Sequence, residues 1–332
     1  MKVWDYPLDG SGGAYPSTPM LEPFDPASLA QQRVDAHCLA SSAGEVLARA
    51  SLWWQEAPPF ERERLGVIGH FGAADGAAAA LLLGRLLERL AEHGCTMAVG
   101  PMDGNTWRRY RFVTEAGEEP PFFLEPDNPP EYPGYFLAAG FTPLAHYRSA
   151  LVSDLSVADG RIPAAIERLH AAGVRWRPLA LERFEEELRA IYHLSCKSFV
   201  DNFLFTPLSE AEFMANYRAV RPHLHAELVL MAECASELIG YLFAIPDLNQ
   251  RLRGEAIDTC IVKTLAVVPG RRWAGLGSVL VAECHRIARQ LGFRRAIHAP
   301  MHDSNRSRSI SAHYSQTMRG YTLFHHRLHS GR

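Results

Sequence analysis

A chain of 332 residues can hold two ordinary domains, each with its own core. Its 47% hydrophobic and 21% charged residues are those of a soluble globular protein, and a net charge of −3 gives no footing for nucleic-acid binding. No apolar run could span a bilayer, the first residues do not begin a signal peptide, and six scattered cysteines form no Cys-x-x-Cys pair. We therefore expect a cytoplasmic protein with free thiols and no membrane partner. The His325-His326 pair and His329 do not suggest a metal, because adjacent strand residues face opposite sides.

Residues 1–30 carry several prolines and glycines and read as an irregular arm. Residues 34–39, 46–54 and 65–71 read as strands, 76–93 as a helix capped by Asp75 and stopped by Gly94, and 95–99 as a further strand. Residues 100–111 place Asp103, Asn105 and Trp107 in loops held by Gly and Pro. Such material makes a ligand pocket, and equally a rigid loop that satisfies its own backbone through Asx turns. A strand at 144–155 closes the first half, and a helix at 163–172 links it to the second.

The second half opens with a strand at 174–181, a helix at 184–199, an aromatic loop at 202–207 and a helix at 210–220. A hairpin at 227–232 and 238–245 ends in a loop holding Asp247 and Asn249. Residues 257–268 read as a strand, of which Ile261 to Val268 is an almost unbroken apolar run rich in β-branched residues, as expected of burial on both faces. Pro269 and Gly270 stop it, and helical spacing begins at Gly275. The intervening Arg272-Trp273-Ala274-Gly275-Leu276-Gly277 combines glycines with the unpartnered N–H groups of a helix start, which makes an anion site. A dinucleotide fingerprint would require a glycine where Leu280 stands, and is rejected. A strand at 295–299, a short helix at 305–313 and a strand at 321–328 complete the chain.

The Arg-x-x-Gly-x-Gly loop, entered through Leu265-Ala266-Val267-x-Pro269, resembles the acyl-CoA signature of the GNAT N-acetyltransferase superfamily. The first half repeats the layout, and Gly100-Pro101-Met102 echoes Ala299-Pro300-Met301. Residues 136–141 also resemble that family's Tyr-x-x-x-Gly-Phe segment, with Phe136 replacing the tyrosine. The fold class expected is therefore α/β (α+β): two tandem GNAT-like domains, each a mixed, mostly antiparallel sheet flanked by helices. The divisions are an arm at 1–30, a degenerate copy at 31–157, a linker at 158–173 and a working copy at 174–332. In the first copy Ala73 stands where Arg272 does, and Asp75 puts negative charge where a pyrophosphate would lie.

The resemblance implies acetyl-CoA as acyl donor and direct transfer to an amine of a small-molecule acceptor, without a metal. The main chain of Leu265, Ala266 and Val267 would hold the pantetheine arm, with Leu265 as a backbone donor to the oxyanion. Trp273, Ala274, Gly275, Leu276, Gly277 and Ser278 would bind the pyrophosphate with Arg272, and Asn305 would touch the arm. Tyr314 is the proton donor if Ser307 is the aligned position, and a packed aromatic if Asn305 is. Asp258, Glu233, Asp247, Asp303 and His302 all lie near strand ends as candidate bases, none is singled out, and a water relay is the alternative. Asp103, Asn105, Trp107, Asp247 and Asn249 are the candidate acceptor contacts, and a monomer or homodimer is expected. A non-catalytic acyl-CoA or metabolite sensor on the same fold is the alternative.

Overall fold

The computed structural model of the chain describes all residues except 10, 12, 305–309 and 329–332. The first half holds β1 (Lys2–Tyr6), α1 (Ala27–Gln31), β2 (Ala36–Ser42), β3 (Glu45–Trp53), β4 (Leu65–Ala73), α2 (Gly76–Glu92) and β5 (Met97–Gly100). It continues through β6 (Phe112–Glu115), α3 (Tyr132–Ala138) and β7 (Thr142–Val152), and α4 (Ile162–Ala171) leads into the second half. There follow β8 (Val174–Pro178), α5 (Phe184–Ser198), α6 (Glu210–Val220), β9 (Val229–Cys234), β10 (Glu237–Pro246) and α7 (Leu248–Leu252). Last come β11 (Thr259–Val267), α8 (Leu276–Gln290), β12 (Arg295–His302) and β13 (Gln316–Arg327).

All strands join one mixed, mostly antiparallel sheet in the order β1-β2-β3-β4-β5-β13-β7-β12-β11-β10-β9-β8, with β6 also on β13. Read from its centre, this order is a palindrome. β13 and β7 match, as do β5 and β12, β4 and β11, and so on to β1 and β8. The tandem layout is therefore real, with the last strand of each copy exchanged. The expected strand at 144–155 does not merely close the first half. As β7 it pairs with β12 through Ala296↔Val152 and with β13 through Tyr321↔Tyr147. Short-range patterning gives no sign of this partner choice, because either copy's closing strand suits either slot.

The arm expected at 1–30 is likewise corrected at its start. Residues 2–6 lie antiparallel to β2 with Trp4↔Leu39 in register, the counterpart of β8 on β9. The Pro and Gly signals that suggested an arm begin only at Pro7. Each half buries its own helix on the sheet. Leu82, Leu83, Leu86 and Leu90 of α2 pack on β2–β5, and Leu276, Val279, Leu280 and Cys284 of α8 on β9–β12. On the opposite face of the second half, Phe184, Leu188 and Ile191 of α5 meet Phe213 of α6 and, from the first half, Phe122. Full burial of such side chains contributes about 1.5–3 kcal/mol each.

Candidate functional site

The parallel ladder of β11 and β12 runs only from Thr259↔Arg295 to Val262↔His298. Beyond it β12 leans away and pairs with β7 at Met301↔Arg148 and His302↔Tyr147. The strand β11 stays with β10, where Val268 N–H donates to the Ile239 carbonyl at 2.8 Å. Because antiparallel ladders alternate, Ala266 and Thr264 also direct their peptide groups to β10. The peptide groups of Leu265 and Val267 therefore point into the opening between β11 and β12. An extended acyl arm carrying amides can be held there by main-chain hydrogen bonds.

The loop at the head of this opening is built as the sequence suggested. Gly270 has φ +149, Arg271–Trp273 make one tight turn, and Gly275 adopts a left-handed φ of +84 as the residue before α8. No side chain caps α8, so the N–H groups of Leu276, Gly277 and Ser278 face outward without an intrahelical partner. The space beside Gly275 is filled by Ala165 and Arg168 of α4, and Arg168 also donates to the Ala274 carbonyl. Arg272 lies along the same helix end, its guanidinium 4.5 Å from the Trp273 ring and 3.5 Å from the Ala172 carbonyl. Three arginines, Arg168, Arg271 and Arg272, thus surround an uncapped helix start. Sequence reasoning missed Arg168, whose role depends on how α4 packs.

The first half carries the same parts with its backbone donors engaged by the protein itself. The β4–β5 ladder ends at Val67↔Val99. The chain after β5 then crosses back over β4: Met102 N–H donates to the Ile68 carbonyl at 2.8 Å, and the Asp103 carboxylate accepts from His70 N–H at 2.6 Å. A methyl group on Gly69 would overlap the Met102 carbonyl oxygen. Further along, Ala73 N–H donates to the Tyr132 hydroxyl at 3.1 Å, and Asp75 caps α2 by accepting from Ala78 N–H at 2.7 Å.

Asp103 therefore serves β4, and Asn105 accepts from Trp107 N–H at 3.0 Å in an Asx turn. Trp107 joins the two halves, its indole donating to the Thr206 carbonyl at 2.9 Å among Phe199, Phe205 and Phe213. Asp247 is buried, accepting from Phe123 N–H at 2.8 Å and Asn249 N–H at 3.2 Å, while Asn249 donates to the Pro121 carbonyl. These contacts pin the loop 119–125 of the first half over the second. Its inner end is held by Glu125, which pairs with buried Arg319 at 2.5 Å and accepts from Tyr321 and Phe122 N–H. Burial pushes the Glu125 carboxyl up, against the pull of those partners.

Tyr314 lies on the α8 side, edge-on to His285 at 5.1 Å, with its hydroxyl buried and without a partner among the described residues. Burial raises its pKa and keeps it protonated. Behind it runs a buried polar chain. His285 meets His298 at 2.9 Å, and His298 meets Ser311 at 2.9 Å, with burial pushing the two imidazoles down to about 4 and about 3. Asn305 lies outside the described residues. His302 stacks on Phe203 at 5.2 Å and bonds Ser304, and Asp303 pairs with Arg148. Asp258 is held by Gln250 and Thr259, and Glu233 by Arg177. No group of three or more His, Cys, Asp or Glu among the described residues could hold a metal, and no helix is long and apolar enough to cross a membrane.

The model of the Acetyltransferase (GNAT) family matches residues 188–313. A curated relative, the bacterial ceramide synthase of Caulobacter vibrioides, is 26% identical over 226 residues, 64% of this chain and 56% of that one. The chain spans about half the length of the curated relatives it matches. Among solved structures it is similar to the GCN5-related glucosamine N-acetyltransferase region of a fungal multi-domain β-N-acetylglucosaminidase. The TM-score is 0.53 at 14% identity, covering 98% of this chain and 38% of that one. It is also similar to a GCN5-related N-acetyltransferase from Sphaerobacter thermophilus, with TM-score 0.51 and 11% identity over 89% and 82% of the two chains. At these identities the structural likeness is one of fold.

Proposed function

We propose that the chain is a member of the GNAT superfamily whose second half, which holds the family match, transfers an acyl group from acyl-CoA directly to an amine. The observation that carries this reading is the opening of β11 from β12, with the peptide groups of Leu265 and Val267 facing the gap below an uncapped, arginine-flanked helix start. The backbone N–H groups from Gly275 to Ser278, with Arg168 and Arg272 near them, meet the pyrophosphate, whereas those of Trp273 and Ala274, also expected there, are taken up by the Gly270 and Arg271 carbonyls. A peptide N–H at Leu265 stabilises the oxyanion that forms as the amine attacks, and fixed dipoles of this kind are usually the largest catalytic contribution. Tyr314, protonated and unpartnered, donates to the leaving sulfur.

In this reading the working copy lies within 174–332, and 31–157 is a degenerate copy that binds no donor. The first copy still contributes, since its loop 119–125 walls the acceptor side of the gap. Acetyl-CoA is the donor we propose first. Ceramides are amides, so the name of the Caulobacter relative is in keeping with an amine acceptor and makes acyl length worth testing. The test is thiol release from acetyl-, octanoyl- and palmitoyl-CoA against pooled amino acids, aminoglycosides and long-chain amines. Turnover with one donor and one amine class supports the reading. Binding of acyl-CoA without turnover would leave a non-catalytic sensor, and no binding at all would overturn the assignment.

A further inference from the structure

We propose that Lys263 is the proton acceptor for the attacking amine, an assignment that rests on the acyl-transfer reading above. Its place in the fold is the first observation. Lys263 follows Val262, the last residue of β11 paired to β12, and it is the extra residue of the bulge between Phe243↔Thr264 and Ala244↔Val262. It therefore sits at the apex of the gap, within two residues of the Leu265 peptide that faces the reacting carbonyl. Its side chain emerges on the face away from α8. There the Nζ donates to the Leu124 carbonyl at 3.1 Å and lies 5.9 Å from the centre of the Phe122 ring.

The second observation is what surrounds it. Leu124 holds a left-handed φ of +62, and the turn that carries it is pinned by Glu125 and Asp247. Two charged groups act on the Lys263 amine: Arg111, stacked on Tyr110 and Tyr147 at 3.9 and 4.4 Å, and Glu125. Glu125 is already engaged by Arg319 and Tyr321, so it makes no direct ion pair with the lysine. Burial and the Arg111 charge favour a neutral amine and bring its pKa down to about 8, against the weaker pull of Glu125. A neutral Nζ that donates one hydrogen to Leu124 still has a lone pair for a proton.

The third observation is compositional. Of 34 basic residues only Lys2, Lys197 and Lys263 are lysines; the rest are arginines. A chain that uses arginine nearly everywhere keeps a lysine where the group must lose its proton, which a guanidinium does not do in proteins. The step balances simply. One proton of the acceptor ammonium passes to Nζ, the freed lone pair forms the C–N bond, and the C–S bond breaks. The leaving sulfur takes a proton, the second amine proton is released, and Lys263 returns its own to water.

The test uses the full chain. In Lys263→Met, kcat/KM for an alkyl amine should fall about 10²–10³-fold while acyl-CoA affinity by calorimetry is unchanged. Lys263→Arg should be as poor as Lys263→Met, and Lys263→His should recover part of the rate. The wild-type rate should rise with pH to a plateau near the Lys263 pKa of about 8, and that limb should vanish in the variants. Independently, ¹³C-methylation labels only three lysines and the N-terminus, and the signal lost in Lys263→Arg should titrate near pH 8 in the wild type. Activity retained in Lys263→Arg would assign the positive charge to anion binding and overturn the proposal, as would titration of Lys263 in the ordinary lysine range. Failure of the wild type to bind any acyl-CoA would instead remove the acyl-transfer reading on which the assignment rests.

Discussion

The strand–helix–strand units β4-α2-β5 and β11-α8-β12 share one architecture and differ in where their backbone donors go. In the first, Met102, His70 and Ala73 N–H groups find the Ile68 carbonyl, the Asp103 carboxylate and the Tyr132 hydroxyl, and Asp75 caps the helix. In the second, β12 leans onto β7, the Leu265 and Val267 peptides face a gap, and the helix start has no cap. An unmade hydrogen bond costs a buried group about 1–3 kcal/mol. The first unit is thus the more self-sufficient of the two.

The largest effect expected from this contrast is on donor binding. Gly275→Asp adds a charge and a side chain to a residue at φ +84 beside Arg168, and should weaken acyl-CoA binding by more than about 10²-fold in calorimetry. Ala73→Arg, which restores the matching cation in the first unit, should leave the stoichiometry at one site per chain. Two sites would break the comparison outright. Next, Tyr314→Phe should lower kcat by about 10²–10⁴-fold without loss of stability, since the hydroxyl has no partner to lose among the described residues. Near-normal turnover would return Tyr314 to the α8 core.

Smaller effects fall on stability. Gly69→Ala pushes a methyl group into the Met102 carbonyl and to 2.6 Å from the Asp103 carboxylate, and should cost about 3 kcal/mol in denaturant unfolding. Gly277→Ala, whose methyl would meet only the Ile310 and Leu265 side chains at 3.3 and 3.4 Å, should unfold like the wild type. Equal costs would mean that the first slot is not closed by backbone. Both halves also bury neutral imidazoles: His37 in the first, pushed down to about 3, and His285 and His298 in the second. Their folded pKa values lie below the unfolded value, so their contribution is present above about pH 6.5 and is lost as pH falls toward 4. Each steepens the acid loss by up to about 1.4 kcal/mol per pH unit. Replacing His37 or His298 by Asn should flatten the melting profile between pH 6.5 and 4.5 by one proton.

Much of the second unit was legible because its signals are local. The apolar run of β11, the stop at Pro269-Gly270 and the helical spacing after Gly275 each act within a few residues, and α6 and α8 lie where periodicity put them. The asymmetry of the two helix starts was also legible, since a cap is a matter of one side chain. Lys263 carries a sequence signal of its own: a lysine interrupting an apolar strand in an arginine-rich chain. Asp103, Asn105, Trp107, Asp247 and Asn249 are ambiguous in the sequence for a physical reason. Asx turns, N–H caps and ligand pockets draw on the same side chains, and only the positions of distant partners such as His70, Phe123 and Thr206 decide among them.

By itself the sequence determined the two units, their order, and which helix start could receive an anion, because strand burial, glycine conformations and capping are short-range properties. Tertiary structure alone decided that β7 and β13 change places, that β1 completes the first copy, and that the turn at Leu124 meets Lys263 across the join. Those outcomes depend on partners up to more than 100 residues apart in sequence, where competing strands offer the same hydrogen bonds and packing around the whole sheet selects among them.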